Sequence, residues 1–142
     1  IIERAQKTKT ALHFPVDYQI AMKNIDGPLS YTDAATFPDN AVGISIGPKT
    51  IEQYTKIILS AQTIFFNGAI GFHSRPKTQE GMKKLFEAMA LSKETSIVAG
   101  GDSLAALHQF GITGITHQLT GGGATLAYLS GKELPGLRPF QH

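Results

Sequence analysis

The 142 residues carry a formal net charge of +2, no cysteine and 42% hydrophobic side chains, enough to build a core within one domain or part of a larger one and to argue against disorder. Absence of cysteine excludes disulfides, zinc ribbons and thiol nucleophiles and leaves the compartment open, with the cytoplasm as the default. Arg4, Lys7 and Lys9 against Glu3 account for the whole net charge, so no basic face points to nucleic acid, and no run approaches the roughly twenty apolar residues of a membrane span or a secretory segment, which implies a soluble protein.

Residues 1–9 read as the tail of a helix, and an opening Ile1 instead of Met suggests a fragment. The short apolar run 11–16, bounded by Pro15 and Asp17, predicts a first strand ending in a turn. Residues 23–40 hold turn signals at 26–28 and 37–40 around a short β-like stretch at 29–32, a loop-rich excursion. The next strand is 41–46, stopped by Gly47-Pro48. Thr50 with Gln53 three residues on makes a capping-box start, after which Ile51, Tyr54, Ile58 and Ala61 share one helical face. Residues 63–66 form a compact strand that runs into 67–71. Arg75-Pro76-Lys77 is a surface turn, and Met82, Leu85, Phe86 and Met89 stripe the following helix.

Strand formers at 96–99 then break into Gly100-Gly101-Asp102-Ser103 before a helix that turns Leu104 and Leu107 inward. A strand at 115–119 and Thr120-Gly121-Gly122-Gly123 repeat that arrangement about one βα unit later. The last helix runs from about Gly122 to Ser130, with Gly131 as its C′ residue. Strands alternating with helices of ten or so residues predict right-handed βαβ crossovers and a parallel sheet covered on both faces. Ligands bind beyond the carboxyl ends of such strands. Four turns are expected on that rim: 43–48, 67–71, 100–103 and 120–123.

A helix start carries unpaired N–H groups and the positive end of the macrodipole, and glycines there let a phosphate approach the bare amides. The turn at 100–103 adds a carboxylate able to hold Mg²⁺ across phosphates and a hydroxyl donor. Set against this, Asp102 can be an ordinary N-cap in a tight turn. Gly121 to Gly123 can act as a hinge, and Asn67 fits an Asx-type turn. A second glycine-rich helix start tips the balance to phosphate binding. His13, His73, His108, His117 and His142 lack metal-ligand spacing; His117 reads as structural, and Met82 and Met89 as core. No G-x-x-x-x-G-K-[ST] or G-x-G-x-x-G occurs.

In order and spacing, five stretches resemble the later part of the C-terminal nucleotide-binding domain of the phosphoglycerate kinases. Ile46-Gly47-Pro48-Lys49-Thr50 is similar to that family's DIGPKT, residues 63–72 to TI-x-WNGP-x-GV, and 99–103 to GGGD-[ST]. Residues 116–124 resemble SHISTGGGA, and 131–136 the closing GK-x-LPG. The resemblance implies a doubly wound, Rossmann-like α/β fold with a mostly parallel sheet, of which residues 1–142 are an incomplete piece. It also implies reversible phosphoryl transfer from 1,3-bisphosphoglycerate to Mg-ADP, giving 3-phosphoglycerate and ATP, in a protein that is monomeric when intact.

Carried over residue by residue, Asp102 would hold the nucleotide's Mg²⁺. Gly100, Gly101 and Ser103 would cradle the phosphates beside Asn67 and Gly68. Gly43 and Ile44 would line the adenine pocket, with Phe72 as another wall. The amides of Gly101, Gly121 and Gly122 would face the transferring phosphoryl. Ser74 stands where the family has the glutamate that contacts the ribose hydroxyls. Ala69 stands for the proline and Phe66 for the tryptophan of WNGP, Ser45 for the aspartate of DIGP, and Leu119 for the serine before TGGGA. The family's N-terminal domain, with its basic 3-phosphoglycerate site, and its lysine-bearing GGAKVSDK-like segment have no counterpart here. The chain alone is therefore expected to be inactive, and a parallel sheet without its opening strands to expose an edge.

Overall fold

The computed structural model describes residues 1–140, so His142 lies outside it. The opening helix α1 spans Ile2–Thr8 and stops at Lys9, which adopts the left-handed conformation at φ 55° and donates its N–H to the Gln6 carbonyl. The run 11–16 is not a strand. Leu12, Phe14 and Val16 are exposed, and the Val16 N–H goes to the Thr50 hydroxyl instead of to a neighbouring strand. Strand β1 comes later, at Tyr18–Met22. Its buried Gln19 disrupts the apolar pattern, yet the side-chain amide is satisfied by the Tyr31 hydroxyl and the Lys77 carbonyl at 3.2 and 3.3 Å.

β2 (Leu29–Tyr31) and β3 (Ala41–Ile46) both pair antiparallel with β1, in the order β2-β1-β3. The excursion at 23–40 folds back on itself because Lys23 and Asn40, both at positive φ, close it with a Lys23 N–H to Asn40 carbonyl bond of 2.7 Å. Helix α2 (Pro48–Ser60) follows, then β4 (Thr63–Asn67), a 3-10 turn at Pro76–Thr78, and α3 (Glu80–Leu91). Strand β5 (Thr95–Ala99), α4 (Gly101–Gln109), β6 (His117–Leu119) and α5 (Gly122–Leu129) complete the regular elements before a 3-10 segment at Pro135–Phe140.

β4, β5 and β6 form a parallel sheet in sequence order, with Phe66 opposite Val98 and Val98 opposite Gln118. The expectation of one sheet is thereby corrected: the protein is α/β, but its strands divide into an antiparallel trio and a parallel trio. Three glycine-rich turns, not four, follow the parallel strands, because 43–48 closes β3 of the other sheet. Strands laid down in order without reversal, joined by crossovers of the usual right hand, put α3 and α4 on the same face. There Met82, Phe86 and Met89 of α3 meet Leu104 and Leu107 of α4 and Ile64 and Val98 of the sheet. Phe66 packs edge-on against Phe86 at 4.8 Å.

The start of α2 also departs from expectation. Its N-cap is Gly47, with Pro48 in the first position, where a missing N–H is harmless and φ is preset. Asp17 supplies the cap from 32 residues away. Its carboxylate accepts the Lys49 and Thr50 N–H groups at 2.9 and 2.7 Å and the Thr50 hydroxyl at 2.6 Å. A Cβ at Gly47 would lie 2.4 Å from that carboxylate, so the glycine makes the approach possible. The C-terminus of α5 follows the sequence reading. Gly131, at φ 77°, donates to the Tyr128 carbonyl while Lys132 donates to that of Ala127, the two bonds of a Schellman motif.

Candidate functional site

The three turns beyond β4, β5 and β6 are laced to one another by bonds between strand ends. Asn67 Nδ2 donates to the Ala99 carbonyl at 3.1 Å, and the Gly100 N–H donates to the Leu119 carbonyl at 2.9 Å. Ser103, 2% exposed, turns its hydroxyl onto the Gly68 carbonyl at 2.9 Å. Asn67 and Ser103 therefore brace the turns with their side chains. Gly68 and Gly100 sit at φ 127° and 106°, backbone that favours glycine.

Between these turns lies a cleft of ≈ 290 Å³ lined by Asn67, Gly68 and Ala69, by Gly100 to Ser103, and by Gly122 and Gly123. Gly101, Asp102 and Ser103 form the first turn of α4, so their N–H groups have no acceptor within the helix and lie at its positive end. Gly122 comes close to the opposite wall: a Cβ there would lie 2.9 Å from the Gly100 Cα and 2.7 Å from Asn67 Nδ2. Around Gly101 and Gly123 the same construction meets nothing within 4 Å. Two helix starts thus converge on one space with glycine on both sides.

Asp102 is exposed, and its carboxylate has no partner among the described residues. It is not the N-cap of α4, a place taken by Gly100. It also lines a second, neighbouring cleft of ≈ 580 Å³, shared with Ala69, where Phe72, His73, Gln79 and Ala105 complete the wall. The Phe72 backbone is fixed by Thr78, whose buried hydroxyl accepts the Phe72 N–H at 2.8 Å and donates to the Arg75 carbonyl at 2.6 Å. Arg75 in turn ties this loop to the carbonyls of Ile25 and Gly27.

Of the residues singled out from sequence, Asn67, Gly68, Gly100, Gly101, Asp102, Ser103 and Gly122 share the glycine cleft, and Phe72 lines its neighbour. Gly121 faces a separate groove with Leu119, Tyr128 and Leu137, and the Gly122 N–H is engaged with the Thr120 carbonyl at 3.2 Å. Gly43, Ile44 and Ser74 line neither cleft; Gly43 faces the Phe37 ring. Gln79 and Thr78 carry no sequence signal, because a polar pair beside a surface turn makes no motif.

No cluster of three metal-ligating side chains exists among the described residues. Among the described residues Asp102 is the one carboxylate in either cleft. That donor set fits Mg²⁺, which commonly takes one or two carboxylates and completes its shell with phosphate oxygens and water.

An α/β protein with glycine-rich helix starts converging beyond the carboxyl ends of parallel strands is one built to hold a ligand at that rim. The chain belongs to the phosphoglycerate kinase family, whose model matches residues 1–132. Phosphoglycerate kinase from Anaeromyxobacter sp. (strain K) is 40% identical over 141 residues, 97% of this chain and 35% of the relative. That from Lactobacillus delbrueckii subsp. lactis is 42% identical over 137 residues, 95% of this chain and 34% of the relative. The structure of phosphoglycerate kinase from Coxiella burnetii superposes with a TM-score of 0.84 at 34% identity, over 96% of this chain and 36% of that one. Phosphoglycerate kinase from Pyrococcus horikoshii OT3 gives the same score and identity over 98% and 35%. The chain spans about a third of the length of these relatives. No helix among the described residues is long and apolar enough to cross a membrane.

Proposed function

We propose that this chain is the nucleotide-phosphate side of a phosphoglycerate kinase, within the C-terminal nucleotide-binding domain. The reaction passes a phosphoryl group from the acyl phosphate of 1,3-bisphosphoglycerate to the terminal phosphate of Mg-ADP, leaving 3-phosphoglycerate and ATP, reversibly, as a step of glycolysis in the cytoplasm. The observation that carries this reading is the meeting of the α4 and α5 starts across Gly100 and Gly122. Backbone amides there face a space sized for phosphate groups. Phosphoryl transfer needs little from a protein beyond positioning and fixed electrostatic support.

In this reading the first-turn amides of α4, from Gly101 to Ser103, hold the nucleotide's phosphates, and Asn67 and Gly68 close the space from the β4 side. Gly122 brings the start of α5 to the transferring phosphoryl, with Gly121 behind it as the N-cap of that helix. Asp102 holds the Mg²⁺, which when bound neutralises charge on the phosphate oxygens. Phe72 forms a wall for the nucleoside, with Ser74 near the same loop and Gly43 and Ile44 assigned to the adenine side. The 3-phosphoglycerate end belongs to an N-terminal domain outside these residues, so the chain alone has no kinase activity.

A second reading, a nucleotide-binding module without catalysis, is favoured by the absence of any lysine or arginine from the two cleft linings. Calorimetry with Mg-ADP, repeated with Asp102→Ala, tests the binding common to both. A coupled assay separates them: the kinase reading expects turnover once the remainder of the protein is supplied, and none from this chain alone. Absence of turnover in the joined protein leaves the binding module.

A further inference from the structure

Gln79 is 3% exposed and lines the Phe72 cleft, and its Oε1 has no hydrogen-bond partner among the described residues. A buried acceptor left unpaired is destabilising, so a native protein keeps one where something outside the fold completes it. The surroundings limit where a partner can come from. Gln79 is the N-cap of α3 and makes no capping bond with its side chain. Its backbone is fully used, with the N–H on the Pro76 carbonyl and the carbonyl accepting from Lys83. The side-chain amide is thus the group of Gln79 left without a role in the helix, beside the cleft that the residue lines. Ser45 Oγ, the other orphaned atom, lies at the join of β3 and α3, 3.5 Å from a Cβ built on Gly81, and does not line the cleft.

The same cleft offers an aromatic wall, Phe72 at 40% exposure, small residues at Ala69 and Ala105, and direct continuity with the phosphate cleft through Ala69 and Asp102. A flat apolar body bearing hydrogen-bond donors and joined to phosphates matches all three features. We infer that Gln79 is a specificity-determining residue for the nucleoside half of the ligand, its side-chain amide bonding a donor on that half from the floor of the Phe72 cleft. This rests on the nucleotide reading above, and it assigns recognition to a residue that does not touch the phosphates.

The experiment compares Mg-ADP with Mg-pyrophosphate, which shares the two phosphates but lacks the nucleoside, by calorimetry on the wild-type chain, Gln79→Met and Gln79→Glu. Gln79→Met keeps the length and removes the hydrogen bond; with no orphaned amide left to bury, its melting temperature without ligand should equal or exceed that of the wild type. The expected result is ADP binding weakened about five- to tenfold in Gln79→Met, the worth of one hydrogen bond, with pyrophosphate binding unchanged. Gln79→Glu retains an acceptor and should recover part of the ADP affinity. ADP affinity equal to wild type in Gln79→Met, or an equal loss for both ligands, overturns the inference while leaving the nucleotide reading in place. Failure of the wild-type chain to bind either ligand at millimolar concentration overturns both.

Discussion

The Ser103 hydroxyl lies 2.9 Å from the Gly68 carbonyl and donates to it, so the side chain that opens α4 is committed to the turn after β4 and only its amide faces the cleft. Replacing Ser103 with alanine removes a single buried bond. Stability should fall by about 1 kcal/mol, read as a lower urea midpoint with unchanged slope. Mg-ADP should bind more weakly because Gly68 loses its brace. Unchanged nucleotide affinity would separate the turn after β4 from the site.

Asp102 makes no bond that the fold needs, so Asp102→Ala should leave the melting temperature nearly unchanged. Its effect belongs to the metal. Titration with ADP at saturating Mg²⁺ should show affinity reduced by about tenfold or more, equivalent to ~1.4 kcal/mol or above, whereas ADP without Mg²⁺ should bind the variant no worse than the wild type. A variant that binds Mg-ADP normally removes Asp102 from metal binding.

Glycines 122 and 123 are neighbours with opposite requirements. A methyl group at 122 would sit 2.9 Å from the Gly100 Cα, which is backbone and cannot swing aside, while one at 123 meets nothing within 4 Å. Gly122→Ala should destabilise the protein by about 1–3 kcal/mol, the usual range for overpacking, and reduce phosphate binding. Gly123→Ala should be neutral or slightly stabilising, since alanine is the better helix former. Paired denaturation curves test the contrast directly.

Asp17 contributes to the response to acid. Burial raises its pKa, but the bond from the Thr50 hydroxyl, the amides of Lys49 and Thr50 and the nearby Lys49 charge outweigh burial and hold it below the ordinary carboxylate value. A carboxyl with a lower pKa folded than unfolded stabilises fully above its unfolded pKa, near 3.9, and loses that contribution as pH falls through the folded value. Urea midpoints should therefore drop in acid more steeply for the wild type than for Asp17→Asn. At neutral pH the variant should be less stable by about 2–3 kcal/mol, the worth of hydrogen bonds to a charged acceptor.

Sequence reveals the glycine turns because each sits locally between a strand and a helix, and Gly100 to Ser103, Asn67-Gly68 and Gly122 do meet in one cleft. What it concealed is long-range. Asp17 capping α2 and Ser103 bracing Gly68 join residues 32 to 35 apart, and no periodicity encodes such bonds. β1 escaped because a buried, hydrogen-bonded Gln19 interrupts its pattern, while the apolar run at 11–16 resembled a strand yet stays exposed. The two-sheet division follows from the same omission: without β1 nothing indicates that β3 is antiparallel. Gln79 carries no motif and becomes visible only as an unpaired atom in a cleft wall.

Helix α5 buries none of its side chains, although its start forms one wall of the glycine cleft. Its place depends on backbone bonds and on the close seat of Gly122 against Gly100, whereas α4 is anchored by Leu104 and Leu107 in the core. A ligand bridging the two helix starts would perform for α5 the office that buried leucines perform for α4. Binding and local folding then become one equilibrium. Amide exchange in α5 should slow with nucleotide concentration while α4 stays protected throughout. At a hundredfold excess over Kd the ligand would add about 2.7 kcal/mol to global stability.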